Sequence, residues 1–238
     1  MLRLDPGAPW PLLLAAVRDE FVDRAWDPPS EHWPEQAPGV VGGRDRTGGG
    51  TWLAVQADAV AALLNGVRLP PPAGVRPSRG GLPLAALTGT ARLTAADLAG
   101  HDGFHLVLAT PTEATVWTWN GHTVERTDLT PGDHIIVNDG VDAGDDPLVP
   151  HFLPLLRRTP SPAADPSWQA WRDLLRGDGL AGDDPRALIA RREVAGRTYG
   201  STSASLIGLQ VGTGARFTFT ATPATPSWYD VPVPVTAG

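Results

Sequence analysis

The apolar residues of the chain fall into short runs that predict a fold built mainly from β-strands. The run PLLLAAV at residues 11–17 has the length and content of a buried strand. It ends abruptly in Arg18, Asp19 and Glu20, at a point where sheets commonly present reactive groups. A solvated turn would explain the same three charges without any function.

A second group of apolar runs predicts a hairpin followed by short helices. Residues 51–55 and 59–64 have the pattern of two strands joined by a short turn, and the second strand ends at Asn65. Ser78 and Thr94 each precede a short stretch of helical composition, so each is a candidate N-cap.

The segment from residue 104 to residue 139 predicts a meander of strands. Its apolar runs read FHLVLAT, ATVWTWNGHTVERTDL and HIIVND. Asn120 and Gly121 interrupt the middle run with the residue pair that tight hairpin turns favour, because both turn positions need positive φ.

Helical spacing replaces the strand pattern between residues 147 and 195. In SWQAWRDLL the apolar residues share one helical face, which predicts that they pack into a core: Trp168, Trp171, Leu174 and Leu175. Strand patterns return in TYGSTSASLIGLQV and ARFTFTAT, around a Gly-Thr-Gly turn. Antiparallel strands combined with a helical block predict an α+β sandwich in which two sheets pack face to face.

Length and composition favour one domain and exclude several chemistries. The 238 residues predict a single domain over residues 1–238, with an irregular Pro-rich tail from about residue 222. The absence of lysine excludes a P-loop and a Schiff-base site for pyridoxal phosphate. The absence of cysteine excludes disulfides, iron–sulfur clusters and a thiol nucleophile in the chain as given. A net charge of −7 without a basic stripe argues against nucleic acid as a partner.

The remaining patterns predict no metal, no cofactor and no membrane span. His101 and His105 are the only close pair of histidines, and Gly103 between them argues against a shared helical ligand face. The segment GSTSAS lacks the closing glycine of a G-x-S-x-G motif. The first apolar run is short, Asp5 lies where a signal peptide would be basic, and no run approaches the roughly 20 apolar residues that cross a bilayer. We therefore expect a cytoplasmic protein.

Six landmarks in a fixed order carry a resemblance to a known family. They are AVRDEFVDR, GRD with GGGTWLAV, LLNGVR, SRGGL, LTPGDHIIVNDGVD and YGSTSAS. In this order they resemble the NRDE family, also called transport-and-Golgi-organisation proteins. The resemblance implies a fold like that of the N-terminal-nucleophile hydrolases: a four-layer αββα sandwich of two antiparallel sheets between helical layers.

The resemblance also implies a catalytic site. In hydrolases of this type an N-terminal Cys, Ser or Thr attacks an amide, and its own α-amine acts as general base. Arg18 and Asp19 match the positions that hold and tune this nucleophile. Asn65 and Asn138 match positions that donate hydrogen bonds to the developing oxyanion. The structural alternatives are an ion pair between Arg18 and Asp19 and ordinary turn roles for both asparagines.

Departures from the family pattern leave two functions open. Val17 replaces the first Asn of the family signature, Thr202 replaces an Arg of the last segment, and Leu2 stands where the family has its nucleophile. One function is a small-molecule amide hydrolase, which would be inactive in the chain as given. The other is a binding or carrier protein for haem, a lipid or an acyl-CoA, which needs no nucleophile.

The start of the chain leads to a further expectation. The family's opening strand should precede Leu2, so the strand at residues 11–17 is expected to lack its partner in the chain as given. If a GTG valine codon inside Met-Cys-x-x-Val-Leu-Arg-Leu was read as the start, the natural protein would begin with Met-Cys and contain the nucleophile. A truncated, inactive relative is the alternative.

Overall fold

Two large β-sheets, one small hairpin sheet and three helices make up the residues that the computed structural model describes, which are 1–70, 76–162 and 167–235. In chain order the strands are β1 (Leu2–Leu4), β2 (Leu12–Phe21), β3 (Trp26–Ser30), β4 (Val41–Asp45), β5 (Leu53–Val55), β6 (Val60–Asn65), β7 (Phe104–Ala109), β8 (Ala114–Trp119), β9 (Val124–Asp128), β10 (Gly132–His134), β11 (Ile136–Val137), β12 (Gly140–Val141), β13 (Arg191–Val194), β14 (Arg197–Gln210), β15 (Gly214–Thr220) and β16 (Tyr229–Val231). The helices are α1 (Leu82–Leu87), α2 (Leu148–Arg158) and α3 (Gln169–Leu174).

The two large sheets are antiparallel and differ in how far apart their strands lie in sequence. The first, sheet A, has the order β10-β1-β2-β14-β15-β16, with β13 also paired to β14. The second, sheet B, keeps the sequence order from β3 to β9. The hairpin of β11 and β12 is separate from both. Sheet B is therefore assembled from local hairpins, whereas sheet A joins the two ends of the chain.

The largest apolar cluster fills the space between the two sheets. Leu12 and Leu14 of β2 point into it and meet Val60 of sheet B, while Ile207 and Phe217 extend the same layer from β14 and β15. Alternate residues of a strand point to opposite faces, so these inward residues are spaced by two along each strand. This burial holds the sheets face to face.

Helices cover the outer face of sheet A. Leu13 of β2, one residue out of phase with the inner layer, packs in a cluster with Phe152 of α2 and with Trp168 and Trp171. Both tryptophans are 1% exposed, which confirms their predicted place in the core. The outer face of sheet B is covered by α1 and by turns, in two smaller clusters. The fold is thus the predicted α+β sandwich of two antiparallel sheets.

Most of the predicted strands are present. The hairpin of β5 and β6 matches the prediction at residues 51–55 and 59–64, and β7, β8 and β9 form the predicted meander. In the turn between β8 and β9, Gly121 has the predicted positive φ, at +97°, but the prediction of a positive φ for Asn120 is wrong. The last two apolar runs form β14 and β15. The prediction for residues 11–17 was too short, because β2 stays paired with β14 as far as Phe21. Arg18, Asp19 and Glu20 therefore lie inside a strand, and the solvated turn is wrong.

The run HIIVND does not continue the meander. Its first residue, His134, ends β10 in sheet A and lies opposite Leu2. The next residues form β11, where Ile136 lies opposite Val141 in the separate hairpin. Apolar content identified the strands here, but it does not specify a partner so far away in sequence.

Two predicted helix starts are also wrong. Thr94 begins a turn rather than a helix, because so short a segment gains too little from its hydrogen bonds to offset the cost of starting a helix. Ser78 does not cap α1, whose N-cap is Gly81. Ser78 Oγ instead accepts a hydrogen bond from the Gly80 N–H at 3.3 Å.

Both ends of the chain contribute strands to sheet A. Leu2, Arg3 and Leu4 pair with residues 12–14, so the expectation that this strand lacks its partner is wrong for that stretch. The Pro-rich tail, predicted to be irregular from about residue 222, contains β16, which pairs with β15. Within the described residues, no helix has the length and apolar content needed to cross a membrane.

Candidate functional site

The four residues singled out in the sequence line one cavity of about 850 Å³. β2, the loop before β5, the end of β6, the loop at residues 76–80 and the hairpin of β11 and β12 all contribute to its wall. The residues in question are Arg18, Asp19, Asn65 and Asn138. A cavity of this size falls within the roughly 300–1,000 Å³ of typical small-molecule sites.

Arg18 is a buried cation held over an aromatic ring. Its side chain faces sheet B, where the guanidinium carbon lies 4.3 Å from the centre of the Trp52 ring. Its Nη1 donates to Thr202 Oγ1 at 2.8 Å, and its Nη2 lies 3.8 Å from the Glu20 carboxylate. Burial lowers the pKa of Arg18, partly offset by the negative charge of Glu20. Gly43 makes room for the ring, because a Cβ there would lie 2.4 Å from Trp52.

Asp19 points to the opposite face of sheet A, because neighbouring residues of a strand alternate. Its Oδ1 accepts a hydrogen bond of 2.6 Å from Ser201 Oγ, which itself accepts from the Ala190 N–H at 2.9 Å. The surrounding protein atoms raise the pKa of Asp19 by desolvation, although the Ser201 hydrogen bond acts in the other direction. Among the described residues, the ion-pair partner of Arg18 is Glu20, so the predicted alternative of an Arg18–Asp19 ion pair is not formed.

A β-bulge brings Thr202 into contact with Arg18. Ser201 lies opposite Asp19 and Ser203 lies opposite Arg18, which leaves Thr202 as an extra residue in β14. Its hydroxyl accepts from Arg18 Nη1 and donates to the Arg18 carbonyl at 3.2 Å. Thr202, one of the three positions at which the sequence departs from the expected pattern, is therefore in direct contact with Arg18.

Asn65, the last residue of β6, is joined to Arg79. The Asn65 Oδ1 accepts from Arg79 Nη2 at 2.7 Å, and Arg79 Nη1 donates to the Gly103 carbonyl at 2.6 Å. Because Oδ1 is used in this way, the Asn65 amide directs its remaining group, a donor NH₂, elsewhere. Arg79 was not among the residues predicted from the sequence.

Two close contacts between glycines hold this pair in place. A Cβ on Gly50 would lie 2.2 Å from the carbonyl carbon of Gly80, and the Thr51 N–H donates to the Gly80 carbonyl at 2.8 Å. A Cβ on Gly66 would lie 3.0 Å from the carbonyl carbon of Gly103, and the Gly66 N–H donates to the Gly103 carbonyl at 3.0 Å. Only glycine allows such close approach of two backbones. The motifs GGG and SRGG thus fix the backbone beside Arg79.

Asn138 lies in the turn between β11 and β12 and is held by its backbone. Its carbonyl accepts a hydrogen bond from His105 Nε2 at 3.0 Å, while His105 Nδ1 lies 2.9 Å from Thr118 Oγ1. A carbonyl only accepts, so Nε2 carries a proton and donates it to the Asn138 carbonyl. In the part of the chain described, the Asn138 side-chain amide has no hydrogen-bond partner, and it is free to bind a ligand.

Two ion pairs join charged side chains of the wall. Arg24 Nε lies 2.7 Å from the Asp45 carboxylate, and Arg76 forms an ion pair with Asp102. These pairs connect the elements around the cavity and leave little net charge of their own.

A comparison with protein-family models identifies the family of this chain. The family model described as Transport and Golgi organisation 2 matches residues 1–152. The chain belongs to this family. The match confirms the resemblance drawn from the six landmarks, and it includes the four predicted site residues and Arg79. No curated protein sequence matches the chain. Ser201 and Thr202 lie beyond the matched range and reach the site through the pairing of β14 with β2.

Sequence reasoning missed the side chains that surround the four residues. Trp52 contacts Arg18 and Ser201 contacts Asp19, yet the sequence singled out neither as a site residue. Arg79 had a signal in the sequence, since it lies in SRGG and the chain also contains GGG. That these glycines contact each other cannot be read from either motif alone.

Proposed function

We propose that this member of the Transport and Golgi organisation 2 family binds a small amide-bearing molecule in the cavity, in a site of the N-terminal-nucleophile hydrolase type. The observation that supports the proposal is that Arg18, Asp19, Asn65 and Asn138, from both sheets and a separate hairpin, line the same cavity. Groups that are far apart in sequence and converge on one cavity are typical of a ligand site.

The two asparagines are the proposed donors to the amide oxygen. Asn65 has its Oδ1 committed to Arg79, so its NH₂ group is the one left to bind a ligand. Asn138 has a free side chain on a backbone anchored by His105. Amide donors at these positions would stabilise the negative charge that develops on an amide oxygen during attack.

The register of β1 and β2 supports a place for a nucleophile. Met1 and Ala15 are paired, so in a polypeptide that continues ahead of Met1 the preceding three residues would lie opposite Ala16, Val17 and Arg18. The cysteine of the predicted Met-Cys-x-x extension is the third of these. Residues directly opposite in an antiparallel pair share a face, so its thiol would lie on the Arg18 side and its amine would be directed toward Asp19.

The test compares the chain as given with a version extended by Met-Cys and two further residues. The extended protein should release amine from N-acyl amide probes, and Cys→Ala should abolish release. Asp19→Ala should lower the rate at least 100-fold, while the surface variant Asp128→Ala should not change it. Equal rates for the Asp19 and Asp128 variants, with native circular dichroism for both, would refute the role of Asp19.

A carrier for haem, a lipid or an acyl-CoA is the second candidate. It is favoured by the mixed wall, in which Leu14, Leu53 and Val107 offer apolar surface beside the Arg18 guanidinium. Such a wall suits an acyl chain with an anionic head group. Tryptophan fluorescence provides the measurement: quenching by haem or acyl-CoA that is smaller in Trp52→Phe than in the unmodified chain, with no turnover in the extended protein, would favour the carrier. No quenching by either ligand would exclude this version.

A further inference from the structure

We propose that Arg79 binds an anionic oxygen group of the ligand, so that the ligand class is a small amide that also carries a carboxylate or phosphate close to its carbonyl. This inference rests on the proposed function, since it names the chemistry of the molecule that enters the same cavity.

The first step is the charge around Arg79. The hydrogen-bond acceptors of its guanidinium are the Gly103 carbonyl and Asn65 Oδ1, both neutral. Two other arginines in the wall, Arg24 and Arg76, each form an ion pair with a carboxylate. Among the described residues Arg79 forms no such ion pair, so its charge is not compensated locally. A half-buried cation without a counter-ion is costly, and an anion in the cavity would compensate it.

The second step is desolvation. Burial lowers the pKa of Arg79, and the positive charge of Arg76 acts in the same direction. A guanidinium nevertheless remains charged in proteins. Because Arg79 is a cation that has lost part of its hydration, its attraction for an anion from solution is stronger.

The third step is geometry. A guanidinium has five N–H donors in a rigid fork, and Arg79 uses one on Nη1 and one on Nη2 for protein partners. The remaining donors can serve a carboxylate or phosphate, the groups that the fork matches best. The Gly50–Gly80 and Gly66–Gly103 contacts fix the backbone on both sides of the side chain, so little ordering is needed on binding.

The hydrogen bond between Arg79 and Asn65 also sets the spacing within the ligand. An anion on Arg79 and a carbonyl oxygen on the Asn65 NH₂ group would bind to neighbouring side chains. A molecule that satisfies both has its anion and its amide only a few bonds apart, as in an N-acyl amino acid.

The test measures binding by calorimetry with three matched probes: N-octanoylglycine, its neutral methyl ester, and N-octanoyl aminomethylphosphonate. We expect Arg79→Gln to weaken binding of the acid at least tenfold and of the ester less than twofold, with Arg79→Lys in between. Arg126→Gln, a surface change away from the cavity, should alter neither. Preference for the phosphonate over the carboxylate would identify the anion as phosphate-like.

Three results would overturn the inference. Equal weakening of acid and ester by Arg79→Gln would show a purely structural role, and Arg79→Lys tests the same point if the glutamine variant does not fold. Equal binding of acid and ester by the unmodified chain and by Arg79→Gln would refute the anion site and leave the proposed function standing. No binding of any probe would overturn both.

Discussion

Met1 and Ala15 form a reciprocal pair of backbone hydrogen bonds, in which the Met1 amine donates to the Ala15 carbonyl and the Ala15 N–H donates to the Met1 carbonyl, both at 2.9 Å. These two hydrogen bonds hold the Met1 α-amine in the wall of the cavity. Burial lowers the pKa of the Met1 amine to about 5, with a partly opposing effect of the Asp142 carboxylate.

This burial predicts a pH-dependent stability for a polypeptide that begins at Met1. The folded-state pKa lies below the unfolded value, so the unfolded chain binds more protons between pH 8 and pH 5. Stability should therefore fall as the pH falls through that window, by at most about 1.4 kcal/mol per pH unit. Urea denaturation measures it, with an N-acetylated chain as control. An identical pH dependence in the acetylated chain would contradict the prediction.

We expect the Asp19 carboxylate to lower the free energy of unfolding at neutral pH. Because its folded pKa is raised, the folded state holds this proton more tightly, and stability is lost as the pH rises from the unfolded pKa through the folded one. Asp19→Asn should remove this loss and make the protein more stable at pH 7 than the unmodified chain, while lowering amide turnover in the extended form. The free energies of unfolding of the two proteins, measured at pH 4 and at pH 7, test this prediction. A difference between the two proteins that is the same at both pH values would argue against desolvation of Asp19 as the cause.

Gly50→Ala should disturb both the fold and the anion site. The new Cβ would lie 2.2 Å from the Gly80 carbonyl carbon, so the loop containing Arg79 must move. We expect a loss of about 1–3 kcal/mol in the free energy of unfolding, as for overpacked cores, together with weaker binding of N-octanoylglycine. Gly81→Ala is the matched control, because a Cβ there meets nothing within 4 Å. Equal stability of the two variants would refute the proposed constraint.

His105→Leu should affect Asn138 without touching the cavity wall directly. The change removes the Nε2–H that satisfies the Asn138 carbonyl. This hydrogen bond is partly buried, so its loss should cost less than the roughly 1–3 kcal/mol of a fully buried unpaired carbonyl, and the turn that holds Asn138 should become less ordered. Hydrogen exchange of the β11–β12 hairpin measures this, with the exposed His122→Leu as control. Unchanged hydrogen exchange in His105→Leu would show that the β11–β12 hairpin is ordered without this hydrogen bond.

The local sequence pattern was sufficient to predict which strands pair in sheet B, but it was not sufficient for sheet A. The strands of sheet B follow one another in sequence, so an apolar run and a turn such as Asn120-Gly121 specify both the strand and its partner. The pairing of β10 with β1 joins His134 to Leu2, and no local feature of HIIVND indicates that distant partner. The strands could therefore be predicted more reliably than their neighbours.

The same holds for the candidate site: its residues could be predicted, but the way the fold brings them together could not. Arg18, Asp19, Asn65 and Asn138 were selected by matching family motifs, and their convergence on one cavity depends on strand pairing that no single motif contains. Arg79 was missed for a related reason. Its position depends on a contact between glycines about 30 residues apart in the sequence, and a glycine motif alone predicts a turn equally well.

Because Thr202 is the extra residue of the bulge, it could be deleted without changing which face the other residues of β14 point to. Odd-numbered residues from Ser203 onward face sheet B, yet Ser201 lies with Asp19 on the outer face, so the extra residue shifts the phase of the strand by one. Removing Thr202 by deletion would leave the residues on either side in their present phase. Loss of this one residue can thus alter the surroundings of the Arg18 guanidinium while both apolar layers of the sandwich stay in register.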